Sequence, residues 1–511
     1  MSDTIAGLIS PHADGALAIG ALGRDWLTYG GLRSLAHSVA SSLHSAGVGR
    51  GDRIAIVLPN GPEMAAAFIA SAQTAVTAPL NPIYREDEFA FYFEDLKAKA
   101  VMLPEGYDGP ALGAASKLGL SVLRVVVDDG APAGHFQLRG ERASDEAVRA
   151  APDHGDCALI LHTSGTTSRP KIVPLLQSNV AASALNVMAS LNLTADDRCL
   201  NVMPLFHIHG LVAAVSASLA AGGSVWCSPG FDAIKFFGWM REAKPTWYTA
   251  VPTMHQAILS RSARNVETIA RVPLRFLRSS SASLPGPVME TLARTFKAPV
   301  IESYGMTEAA HQMTSNPLPP GAQKPGAVGM AAGPLVRIAH QTENKLVKGT
   351  GEVVISGPNV TPGYDGNPEA NEKSFFEAKG YRWFRTGDQG EFDEDGYLTL
   401  TGRLKEIINR GGEKVSPLEV DGVLSAHPAV AQCVTFAVPH PKLGEEVAAA
   451  VVLTDGAQVS ENDIRTFLGR RLAAFKVPRK VVVLDEIPKG ATGKLQRIGL
   501  AEKLGLTMPT A

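Results

Sequence analysis

The sequence predicts an α/β protein with a large, multi-subdomain N-terminal body and a small C-terminal α+β domain, and three observations carry this. At 511 residues the chain exceeds what a single hydrophobic core spans and has room for two to four domains. Short apolar runs alternate with helix-period segments through most of it, which is the pattern of parallel or mixed sheets covered by helices. At 403–406 the character changes to a charged stretch, followed by the glycine pair Gly411 and Gly412. That change places a boundary at Gly402, dividing the chain into 1–402 and 403–511.

Taken in order, DRIAIVL at 52–58 reads as a buried strand and 63–73 as the helix after it. Further strands are expected at 100–103, 122–127, 158–162, 224–227, 246–251 and 274–277. Beyond the boundary the pattern predicts a helix near 418–424, strands near 430–438 and 447–453, and a helix near 461–472. Fifty glycines and 34 prolines fall at short punctuation points, as many tight turns require. No repeat of solenoid length is present.

Composition excludes several functions. Hydrophobic residues at 45% and charged residues at 19% are ordinary for a globular chain. A net charge of -2 gathers no nucleic acid. Four cysteines far apart, without a CxxC pair, argue against a zinc site or disulfide framework and for a reducing compartment. The N-terminus lacks the basic start and apolar run of a signal peptide, and the apolar stretch at 64–80 is too broken to span a bilayer. A cytoplasmic protein without stable membrane association is expected.

The first motif with chemical content is TSGTTSRPK at 163–171, directly after a predicted strand. One glycine, five hydroxyl side chains and the cations Arg169 and Lys171 suit the wrapping of phosphate oxygens, although the Walker spacing is absent. Five more segments follow: SASL at 281–284, SYGMTE at 303–308, FRTGD at 384–388, GRLKE at 402–406 and PKGATGK at 488–494. In this order they resemble the motifs of the adenylate-forming family, which includes acyl-CoA synthetases, luciferases and peptide-synthetase adenylation domains.

That resemblance implies ATP, Mg2+ and coenzyme A as ligands, and an acid that is activated as an acyl-adenylate and passed to a thiol. Thr163, Ser164, Gly165, Thr166, Thr167, Ser168 and Lys171 would grip the phosphates. Ser168 stands where glycine is commoner, and Ile172 where glycine often follows the lysine; neither departure removes a phosphate donor. Tyr304 would stack on adenine, with Ser281, Ala282, Ser283, Glu302 and Ser303 beside it. Thr307 would touch the α-phosphate, and Glu308 with Thr163 would hold magnesium. Asp388 and Arg403 would bind ribose. Lys494 would bridge the carboxylate and the α-phosphate, which also makes it a point where a lysine acetyltransferase could remove the charge. The C-terminal domain would be mobile, turning about Lys405 to bring Gly411, Gly412 and Glu413 toward the pantetheine arm.

The acid is addressed by PLFHIHG at 204–210 and by His311. Without a cysteine or carboxylate partner, the histidine pair is a poor metal site. His207 takes the position that gates the acyl pocket and counts with Lys494, Glu308 and Thr307 among the catalytic side chains, while His209 reads as structural. The segments around them are similar to oxalyl-CoA synthetases of plants and fungi, in which the equivalents of His207, Ser281 and His311 surround a small dicarboxylate. Both histidines could carry charge near neutral pH. Malonyl-CoA synthetase has an arginine where Ser303 stands and a second basic residue near Ala257, which counts against malonate. A medium-chain acyl-CoA synthetase, a stand-alone adenylation domain and a luciferase-like oxidase remain as alternatives; the 17 residues after Lys494 leave no space for a carrier domain.

One prediction follows from the PKGATGK loop. Lys494→Ala abolishes acyl-adenylate formation and leaves thioester formation from supplied acyl-adenylate largely intact. Separate assays of the two half-reactions check this, and equal loss in both overturns it.

Overall fold

The computed structural model describes residues 3–141, 147–163, 170–489 and 495–506. Two large sheets form the centre of the body. The first has nine strands in the order Met330–Ala331, His311–Ser315, Val300–Met306, Phe276–Ser279, Trp247–Ala250, Arg198–Asn201, Ser224–Cys227, Leu17–Gly20 and Leu27–Thr28. Its six middle strands are parallel and its edge strands antiparallel. The second has seven strands, Gln137–Arg139, Ser121–Val126, Ala100–Pro104, Arg53–Ile56, Val76–Pro79, Cys157–Thr163 and Lys171–Leu176, again parallel within and antiparallel at both edges.

The helix Pro62–Ser71 shows why the two sheets pack together. Its sequence, PEMAAAFIAS, is buried on every face from Met64 onward, the signature of a helix with no solvent side. Strands of both sheets pack against it, and Ala65, Ala66, Ala67 and Ala70 let them approach closely. Pro62 opens the helix, where its missing N–H costs nothing. Among the described residues, no helix is long and apolar enough to cross a membrane.

A third sheet, antiparallel, was not delimited by the sequence pattern. It runs Leu346–Val347, Leu335–Ala339, Gly351–Ser356, Tyr381–Phe392 and Phe375–Ala378, with Leu398–Arg403 paired to Tyr381–Phe392. Val336, Val353, Ile355, Phe384 and Leu398 from this sheet share one continuous core with Ile54 and Leu159 of the seven-stranded sheet.

Residues from Ile408 onward build cores of their own. Ile408, Val415, Val420, Val447, Val451, Ile464 and Leu468 form one, and Val434, Phe436, Ala450, Ile487 and Leu500 another. They lie on either side of a sheet of Glu413–Val415, Ile408–Arg410, Gly444–Leu453, Val430–His440 and the parallel Lys480–Val483. The helices Pro417–Leu424 and Glu461–Gly469 match the expected pair, the second ending three residues early.

One boundary differs informatively. The apolar run expected as a strand at 274–277 gives way to a strand at Phe276–Ser279. Its register against Trp247–Ala250, from Trp247 opposite Phe276 to Ala250 opposite Ser279, carries it past the last apolar residue. Arg278 and Ser279 are therefore buried inside the sheet.

Arg497 ties the C-terminal segment together. Its guanidinium donates to Glu406 at 2.7 Å, to Asp421 at 2.6 Å and to the Thr435 carbonyl at 2.6 Å, with all three charged side chains largely buried. Removing one member of such a group leaves uncompensated charge, so Arg497→Met is expected to destabilise the C-terminal unit by about 3–5 kcal/mol. Hydrogen exchange in Val430–His440 reads this directly; unchanged protection there overturns the assignment.

Candidate active site

The site is organised by a reverse turn in the nine-stranded sheet. Strand Val300–Met306 ends in the turn Thr307–Ala309, and Ala310 and His311 follow with φ of 48° and 110°. The chain then returns as His311–Ser315, with Met306 opposite His311 and Gly305 opposite Gln312. Gly305 is required by this crossing, because a Cβ there would lie 1.8 Å from the His311 carbonyl oxygen. The strained His311 backbone holds its ring in the interior.

On one side of the turn lie the groups expected to meet the nucleotide. The Tyr304 hydroxyl donates to Asp388 Oδ2 at 2.5 Å, and Arg403 Nε donates to Asp388 Oδ1 at 2.9 Å. The left-handed Gly387, φ 74°, lets the chain turn just before Asp388. Glu308 is buried and accepts from the Tyr364 hydroxyl at 2.8 Å; burial pushes its carboxyl above the usual range. Lys171 Nζ sits 4.1 Å from the centre of the Tyr364 ring. Burial lowers its pKa, Glu308 opposing and Lys405 adding to that shift, so Lys171, Glu308, Tyr364 and Lys405 converge. Thr163 pairs directly with Lys171 across two antiparallel strands, fixing both ends of the expected phosphate loop. Ser164, Gly165, Thr166, Thr167 and Ser168, together with Lys494, lie outside the described residues.

Glu302 and Ser303 spend their side chains on neighbouring backbone. Glu302 Oε1 accepts from the Leu284 N–H at 2.8 Å, and burial pushes this carboxyl up to about 8. The Ser303 hydroxyl donates to the Ser279 carbonyl at 3.4 Å, and the Ser280 hydroxyl to the Ser303 carbonyl at 3.0 Å. These bonds pin the segment holding Ser281, Ala282 and Ser283 against the reverse turn. Ser281 itself adopts a left-handed backbone, φ 74°.

On the other side is a polar cluster. His209 begins a buried π-helical segment, His209–Ser216, a form frequent at functional sites. Its Nδ1 lies 3.1 Å from Ser281 Oγ and its Nε2 2.6 Å from Thr249 Oγ1. The His209 N–H donates to His207 Nδ1 at 3.4 Å, and the His209 and His311 rings are 5.0 Å apart. His209, read from the sequence as structural, thus joins Ser281 and His311 in one cluster. Arg278 lies against both rings and was not singled out from the sequence, since a charge at the end of an apolar run reads as a strand end. Tyr364 was missed too; nothing local marks a tyrosine after Thr361-Pro-Gly as a partner of Glu308.

In the C-terminal unit, Gly411 and Gly412 have φ of 60° and 98° and form the two-residue turn between Ile408–Arg410 and Glu413–Val415. A hairpin turn with both φ positive demands glycine, so the turn alone accounts for the pair. Lys405 and Glu413 are exposed.

Gly305→Ala should force the two strands of the reverse turn apart, at a cost of at least about 3 kcal/mol. Denaturant unfolding measures this, and wild-type stability would show that the crossing tolerates a methyl group.

Comparison with known proteins agrees with this geometry. The AMP-binding enzyme family matches residues 12–365, and the AMP-binding enzyme C-terminal domain matches 419–494. An oxalate–CoA ligase of Arabidopsis thaliana is 46% identical, covering 97% of this chain and 98% of that protein. One from Saccharomyces cerevisiae is 43% identical over 90% of this chain and 88% of its own length. Among solved structures, ATP-bound MatB from Rhodopseudomonas palustris superposes with a TM-score of 0.87 at 31% identity, covering 98% of this chain and 99% of that one. The chain belongs to the AMP-binding enzyme family.

Proposed function

We infer that this protein is an ATP-dependent, AMP-forming acid–CoA ligase whose acid is oxalate, giving oxalyl-CoA. The observation that carries the choice of acid is the cluster of His209, Ser281 and His311 around buried Arg278, where a fatty acid would need apolar walls. The two oxalate–CoA ligases similar to this chain along nearly its whole length support it. At Ser303, where malonate-specific relatives would need a cation, a buried serine bonds to backbone.

We propose the following division of labour for the site. Residues 1–402 bind ATP and the acid, and 403–511 form the mobile part. Asp388 and Arg403 hold ribose beside Tyr304, which their shared hydrogen bonds immobilise. An oxalate oxygen attacks the α-phosphorus, the bond to the β-phosphate bridge breaks, and pyrophosphate leaves toward Thr163, Lys171 and the loop between them. Lys494 and Thr307 meet the charge at the α-phosphate, and His207 closes the acyl side. Glu308 is one buried carboxylate facing Lys171, with an oxygen already satisfied by Tyr364, and one carboxylate plus substrate phosphates is how magnesium is commonly held. Bound there with Thr163, magnesium would supply neutralisation of phosphate charge. In the second half-reaction the CoA sulfur attacks the oxalyl carbonyl, AMP leaves, and the thiol proton goes to solvent. Gly411, Gly412 and Glu413 form the hairpin offered to the pantetheine arm. Acetylation of Lys494 would silence the first half-reaction only. The cysteines described are all free thiols, as the cytoplasm keeps them.

Taking oxalate's second carboxylate out of water costs several kcal/mol, and each hydrogen bond to it returns about 1.5–3 kcal/mol. The protein should therefore show its highest kcat/KM with oxalate in a panel containing malonate and a medium-chain fatty acid. His311→Ala should lower oxalate use about 100-fold or more, the worth of one to two such bonds, with little change in the KM for ATP. Pyrophosphate release with and without CoA provides the readout. A higher kcat/KM for malonate or a fatty acid would falsify the choice of acid, and release without CoA consumption would rule out the ligase.

A further inference from the structure

Arg278 is fully buried within strand Phe276–Ser279, and among the described residues no carboxylate pairs with it. Its Nη1 is 3.4 Å from His209 Nε2 and 3.5 Å from Thr249 Oγ1. Its Nη2 is 3.2 Å from Gln312 Oε1 and 3.5 Å from His311 Nδ1. Nε has no partner among the described residues. His255 lies against the Arg278 carbonyl, with burial lowering it to about 4, and Cys199 is a further ionisable neighbour whose thiol burial holds well above the usual range. Among the described residues no negative charge thus faces the guanidinium, an arrangement that costs stability unless a counter-charge arrives. Burial pushes Arg278 down to about 9, which leaves it charged at neutral pH.

The guanidinium also decides where the protons of the two histidines sit. It has donors and no acceptor, so a ring nitrogen bonded to it is bare. His209 Nε2 accepts from Arg278 and Thr249, and its proton therefore resides on Nδ1, which donates to Ser281 Oγ. This leaves the Ser281 hydroxyl proton to be given elsewhere. His311 accepts at Nδ1 and carries its proton on Nε2. On this reading neither imidazole carries the charge for the substrate. A second positive charge on either would face Arg278 at hydrogen-bonding distance.

We propose that Arg278 is the specificity-determining cation of the acyl pocket, balancing the second carboxylate of the acid while fixing His209 and His311 as neutral donors. This rests on the oxalate reading and deepens it. Acting through the two rings and Ser281, Arg278 is a positioning residue whose charge selects a dianion over a monoanion of the same shape.

The test compares oxalate with oxamate, in which an amide replaces the second carboxylate, by pyrophosphate release in the full-length protein. Arg278→Gln keeps hydrogen-bonding capacity without charge and is expected to lower the oxalate-to-oxamate ratio of kcat/KM by about 100-fold, through KM and with the KM for ATP unchanged. Arg278→Lys keeps the charge and should retain the ratio to within about 10-fold. A Gln variant with wild-type selectivity, or a Lys variant that loses as much as Gln, overturns the proposal. The wild-type protein tests it without relying on a folded variant. Of the titratable groups facing the site, His207, His209 and His311 would make selectivity fall between about pH 6 and 8 if they supplied the charge. Arginine keeps it flat there and lets it fall only toward its own, burial-lowered range, the Cys199 thiol staying neutral throughout. A fall through the histidine range overturns the proposal. Should another small dianion replace oxalate as the preferred acid, the oxalate reading fails, and Arg278 is judged by that acid against its own monoamide.

Discussion

The close crossing of Val300–Met306 and His311–Ser315 constrains everything at the centre of this protein. At Gly305 the strands approach until no side chain fits between them, and the turn joining them forces Ala310 and His311 into left-handed backbone. From that single feature the two halves of the cleft diverge. Tyr304 and Glu308 point toward Asp388, Arg403, Tyr364 and Lys171, while His311 is turned inward against Arg278 and His209. A nucleotide and an acid held on opposite sides of one rigid turn have their reacting atoms positioned by the same backbone, which is where much of the advantage of a bound reaction lies.

The half expected to meet the nucleotide announces itself in the sequence because its chemistry is local. Hydroxyls, glycines and cations cluster within single loops, and each motif survives as a contiguous string. The acyl half was only partly legible because it is assembled across strands. His209, Thr249, Arg278 with Ser281, and His311 come from four separate segments that meet only once the parallel sheet is in register. Arg278 shows the limit of pattern reading: a charge after Phe276 and Leu277 looks like the exit from a strand, yet the register with Trp247–Ala250 keeps it inside. The antiparallel sheet of residues 335–403 escaped for a related reason. Most of its strands follow one another through short turns, and the one helix among them, Pro368–Ser374, does not repeat as the helices of the other two sheets do.

Composition changes near Gly402, and the residues from Ile408 onward have cores of their own. What composition could not show is how the far end of the chain is fastened there. Arg497, three residues beyond Lys494, reaches back to Glu406 and Asp421. The segment that follows the lysine loop is thereby tied to the segment that follows Arg403. Movement of one cannot leave the other behind, as a unit that turns as a whole requires.

On the proposed reading, the placement of the cations follows from the order of the two half-reactions. The charge opposing the phosphates is needed only while two anions are joined, and Lys494 lies in the part of the chain with its own core, free to withdraw. The charge opposing the second carboxylate is needed throughout, because oxalyl-adenylate and oxalyl-CoA both keep that carboxylate. Arg278 lies within a fully buried strand of the body and cannot leave. Its permanence has a cost, a buried cation among neutral groups before the acid binds, and the same cost supplies selectivity. An acid that brings a second negative charge relieves it, and one that brings a methyl group or an amide does not. Specificity of this kind needs no tight steric fit around a molecule as small as oxalate, which has too few atoms to be recognised by shape.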